Sequence, residues 1–87
     1  MSPYLSDQDA ITRYKAIYTR RSLQFINTGE GSSLQLALLA YNNINIIKRA
    51  KNPKRIDIAT LNGRLFIRLT RAHTRNTLTT KLNRQAA

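Results

Sequence analysis

Apolar residues near the start of the chain recur at helical spacing. Ile11, Tyr14, Tyr18 and Phe25 are separated by three, four and seven positions, with Ala10 and Ile17 beside them, while Arg13, Lys15 and Arg20 fall mostly off that stripe. The spacing predicts an amphipathic helix of about five turns. Ser6 followed three residues later by Asp9 is a capping pattern that starts this helix near Asp7, and Asn27-Thr28-Gly29 ends it, since Gly is the usual residue just past a helix. Gly29 to Ser33 forms a short connection in which Ser32 or Ser33 can cap a second helix. The inner face of that helix would be Leu36, Ala37, Ala40, Tyr41, Ile44 and Ile47. A hairpin turning at Asn42-Asn43 competes with it, because Asn tolerates positive φ, but length and Ala content favour the helix. Asn52-Pro53 terminates it, as the residue before proline is driven out of the helical region.

From 55 to 70 the period changes. Two apolar runs flank Asn62-Gly63, the pair that favours a two-residue type I′ turn. Counting outward from that turn sorts Ile56, Ile58, Thr60, Leu65, Ile67 and Leu69 onto one face and sets Asp57 opposite Arg68 as a cross-strand pair. The expected fold is α+β: two helices, an antiparallel β-hairpin and a basic C-terminal segment. Residues 1–87 read as one small domain, with 71–87 a basic tail that is helical or orders only when bound. A chain of 87 residues buries one modest core.

Charge changes the picture more than composition does. Fifteen Lys and Arg stand against four acids, a formal net charge of +11. The cations peak at Lys48, Arg49, Lys51, Lys54 and Arg55, between the second helix and the hairpin, and recur at Arg64, Arg71, Arg75, Lys81 and Arg84. One such run in a neutral protein would only solvate a helix end; repeated along the chain, it points to phosphate contact. Phe66 lies between Arg64 and Arg68 along one strand of the expected hairpin and is the candidate for base stacking. Arg68 is set aside for its pairing with Asp57. Tyr14 and Tyr18 share the apolar stripe and read as core.

Other chemistry is thin. There is no Cys, the four acids are scattered over Asp7, Asp9, Glu30 and Asp57, and His73, the sole histidine, has no acid within 15 residues on either side. Neither catalytic residues nor a cofactor nor a metal is expected, and His73 reads as a polar tail residue. Gly29 to Ser33 lacks the Lys of a phosphate-binding loop and carries Glu30. The apolar stretch from Leu34 to Ile47 is broken by Gln35, Asn42, Asn43 and Asn45 and is too short to span a bilayer. The expected location is cytoplasmic or within a nucleoprotein particle, with no membrane partner.

The order helix, connection, helix, hairpin is similar to the winged helix-turn-helix and phage excisionase architectures. That resemblance implies a helix in the major groove and a hairpin wing on the backbone, with Gln35, Asn42 and Asn45 exposed as readers of base edges. The expected function is non-enzymatic nucleic-acid binding through a basic patch, as in a small DNA-binding regulator. The alternatives are an RNA-binding ribonucleoprotein component, or a small phage-type inhibitor docking on an acidic or nucleic-acid-binding site of a partner protein.

Overall fold

Ser6 adopts an extended backbone, and its hydroxyl accepts a hydrogen bond from the Asp9 amide at 3.1 Å. That bond satisfies one of the free amides at a helix start, and from it α1 runs over Asp7–Thr28. The computed structural model describes residues 6–54 and 57–86. Gly29 closes α1 in the left-handed region, φ 75°, donating its amide to the Phe25 carbonyl at 2.7 Å. α2 follows at once over Gly31–Lys51, and α3 spans Ile58–Ala86.

The direction of the helices follows from their contacts. Asp7 at the start of α1 meets Lys51 at the end of α2, 3.8 Å apart, so these two helices are antiparallel. Asn62 donates to the Asn42 amide oxygen, Arg68 to the Tyr18 hydroxyl, and His73 lies against the Ile26 carbonyl. α3 therefore runs parallel to α1 and antiparallel to α2. The shared core consists of Phe25, Ala37, Leu65 and Leu69, flanked by Tyr18, Ile26, Leu34, Leu38 and Tyr41. Tyr18 and Tyr41 pack ring to ring at 5.4 Å. Burial of Leu65 and Leu69 contributes about 1.5–3 kcal/mol each.

The fold is all-helical, and the expected α+β class with its β-hairpin is overturned: the described residues contain no strand. Leu65 is 2% and Leu69 4% exposed, whereas Ile67, placed on their face by the hairpin register, is 48% exposed. Burial at every fourth residue and not at every second is the helical period. Asn62-Gly63 sits inside α3 instead of at a turn. The physical reason is context. A lone two-stranded hairpin would leave both edges unpaired, whereas one continuous helix buries Leu65 and Leu69 against α1 and α2 at the cost of about 1 kcal/mol for an interior Gly.

Asp57 does not pair with Arg68. Its carboxylate accepts from the Thr60 hydroxyl at 2.7 Å and from the Thr60 amide at 3.2 Å, capping the start of α3. Those two bonds, the hydroxyl first, hold its pKa below the ordinary 3.8. Ile56, also placed in the hairpin, lies outside the described residues. Ser32 and Ser33 do not cap α2 either: Glu30 occupies that position, and Ser33 is buried within the helix.

Residues 71–86 form the second half of α3, although they include many threonines. Thr residues are ordinarily poor in helices because their hydroxyls compete for the backbone. Here Thr70, Thr74, Thr77, Thr79 and Thr80 each donate to the carbonyl four residues back, at 2.9–3.0 Å, so the hydroxyls are bonded within the helix itself. The molecule is elongated, 57 × 31 × 17 Å, with a radius of gyration of 16.1 Å against about 12 Å for a compact domain of this length.

Candidate nucleic-acid interface

An α-helix advances about 100° and 1.5 Å per residue. Arg64, Arg68, Arg71 and Arg75 are spaced four, three and four apart, so on α3 they fall within an arc of about 60° over a length of about 16 Å. All four are exposed. With Ile67 and Ala72 they line an open trough of about 490 Å³. α3 carries Lys81 and Arg84 as well and has no acidic residue, so nothing on the helix offsets the stripe.

Two contacts fix the trough relative to the bundle. Arg68 donates to the Tyr18 hydroxyl at 2.9 Å, tying the stripe to α1. On the other side of that bond is a groove of about 320 Å³ between α1 and α3, walled by Leu23, Ile26, Leu69 and Ala72 among others. His73 and Asn76 both reach the Ile26 carbonyl, at 3.0 and 3.2 Å. That carbonyl belongs to the last turn of α1 and lacks a partner in its own helix. α3 thus caps α1, and His73, which also packs on Phe25 at 5.2 Å, is a half-buried clamp and not a tail residue.

The predicted site residues separate into groups. Arg64, Arg71 and Arg75 come together, and Arg68, set aside in the hairpin register, completes their stripe. The signal that could have found it is the four-three-four spacing of the arginines. Lys48, Arg49 and Lys51 occupy the last turn of α2, where they complement the helix dipole, and Lys54 follows in the turn toward α3. Lys51 and Lys54 line a separate trough with Asn52 and Pro53. Arg55 lies outside the described residues. Lys81 and Arg84 stand beyond the stripe, turned about 100° and 160° away from it.

Phe66 is 46% exposed and, two residues from Arg64, is rotated about 200° from it, so the aromatic ring does not lie between two arginines. With no hairpin there is no wing. The amide readers fail as well: Asn45 is 4% exposed and Asn42 is half-buried against Asn62, which leaves only Gln35 on the surface. Among the described residues no three His, Cys, Asp or Glu side chains gather where they could hold a metal, and no helix is long and apolar enough to cross a membrane. No protein family matches the chain, and comparison with curated proteins and with solved structures finds no match.

Proposed function

We propose that this protein binds nucleic acid through its phosphate backbone, with the arginine stripe of α3 as the main contact and no enzymatic step. The observation that carries this reading is the alignment of Arg64, Arg68, Arg71 and Arg75 on one exposed face of a helix without acids. Arginine presents a planar fork of donors that matches phosphate oxygens bidentately, so a ladder of four suits a row of phosphates better than four point charges. The cations of Lys48, Arg49, Lys51 and Lys54 stand at the end of the bundle where α3 begins and extend the positive field beyond Arg64. Base reading is not part of the proposal, because Asn42 and Asn45, the amides that could have supplied it, are wholly or partly buried between helices.

Titration of duplex DNA, single-stranded DNA, RNA and heparin at several salt concentrations tests it. Neutralising four phosphates of duplex DNA gives a log–log salt slope near −4, about −0.9 for each phosphate. The double substitution Arg71→Gln, Arg75→Gln flattens that slope by about 2 and weakens binding to all sequences alike, with helical circular dichroism unchanged because both side chains are exposed. Absence of binding to any nucleic acid at low salt removes the reading.

A further inference from the structure

The outer face of α2 is a long uncharged surface on a strongly cationic chain. From Gly31 to Ile47 there is no Asp, Glu, Lys or Arg. Within that stretch Leu36, Leu39, Asn43 and Ile46, followed by Ala50, recur at spacings of three and four and fall within an arc of about 80°. Leu36 is 39%, Leu39 56% and Ile46 49% exposed, although Leu36 was expected to face inward. The core is supplied instead by Ala37, Ala40 and Ile44, whose face is turned about 110° from the seam. The result is a heptad-like seam with one polar residue, Asn43, along it.

We propose that a second copy of this chain covers the seam, with the two α2 helices packed antiparallel about a two-fold axis at the level of position 41, midway between Leu39 and Asn43. In that register Leu36 opposes Ile46 of the second copy and Leu39 opposes its Asn43. Charge selects both occupant and direction. A seam without cations offers nothing to an acidic partner, and two copies at +11 can approach without confronting cations only through their neutral faces. Glu30 begins α2, and Lys48, Arg49 and Lys51 end it. Antiparallel pairing brings Glu30 of each copy toward those cations of the other and opposes the helix dipoles; parallel pairing would set the three cations against their counterparts. From Leu36 to Ile46 the seam is only about 15 Å long, and one helix face falls short of the roughly 800 Å² per partner of a standard interface, so the dimer is weak, with a Kd on the order of 100 µM.

The arginine stripe is on α3, so this proposal does not depend on nucleic-acid binding. Sedimentation equilibrium of the free protein between about 10 and 500 µM, at low and high salt, is expected to show a monomer–dimer equilibrium that shifts toward dimer as salt screens the repulsion. Leu39→Glu is expected to weaken dimerisation at least tenfold with unchanged circular dichroism, since Leu39 is exposed. The chain has no Cys, so engineered thiols report cleanly. Oxidising an equal mixture of the single variants Leu39→Cys and Asn43→Cys is expected to give the mixed disulfide at well above twice the amount of either homodisulfide, the ratio that random pairing gives. Monomer at every concentration, a dimer indifferent to Leu39→Glu, or a mixed disulfide at no more than twice either homodisulfide would each overturn the proposal. So would capture of the monomer by anionic phospholipid vesicles that Leu39→Glu abolishes.

Discussion

At the turn between α1 and α2, one glycine and one histidine hold the bundle together. Gly29 has φ 75°, a conformation that costs a residue with a Cβ about 1 kcal/mol or more. A Cβ there would also stand 2.8 Å from His73 Nε2. Gly29→Ala therefore incurs both a backbone and a steric cost, about 2 kcal/mol together, read as a lower midpoint in urea unfolding. The two parts separate in a double-mutant cycle: with His73→Ala already present, the steric part disappears and the added effect of Gly29→Ala falls to the backbone part alone. A full effect in both backgrounds would mean that His73 does not press on the turn. The capping residues of α1 were legible at this scale because each acts within four residues of itself: Ser6 on Asp9, Gly29 on Phe25. His73 was not, since its partners Phe25 and Ile26 lie far away in sequence.

At the scale of elements, α1 and α2 stand where their apolar spacing puts them, and α3 does not. The stretch from Ile58 to Ala72 satisfies two periods at once. Leu65 and Leu69 suit a strand face and a helix face equally, and Ile67, which the strand register would bury with them, separates the two by being exposed. Asn62-Gly63 locally favours a turn, whereas Asp57 ahead of Thr60 is a helix start and not half of a cross-strand ion pair. Gly63 supplies a direct test. A Cβ there meets nothing within 4 Å, so Gly63→Ala in the helix is expected to stabilise the protein by about 0.5–1 kcal/mol, seen as a higher melting temperature. In a type I′ turn the same change would destabilise, because Ala resists the positive φ that the turn requires.

For the molecule as a whole, the governing quantity is charge on a thin fold. With six apolar side chains buried among the described residues and a net charge of +11, cation repulsion opposes folding without a large apolar reserve to offset it. Moving from about 10 mM to 150 mM salt shortens the screening length from about 30 to 8 Å, so the melting temperature is expected to rise by several degrees. A melting temperature indifferent to salt would show that the cations are too dispersed to strain the fold. The same screening strengthens the proposed dimer and weakens the proposed nucleic-acid binding. Salt thus distinguishes the two surfaces: α2, neutral and apolar, from α3, cationic.

The sequence by itself determined what acts locally or adds up over the whole chain: the start and end of α1, the end of α2, the net charge and the sign of its clusters. Tertiary structure decided the rest. Whether residues 58–69 follow a period of two or of four depends on which surface is available to bury Leu65 and Leu69, and that surface is made by Phe25 and Ala37 on other helices. The same decision turned scattered arginines into a stripe, because side chains four, three and four residues apart share a face only once the backbone between them is helical.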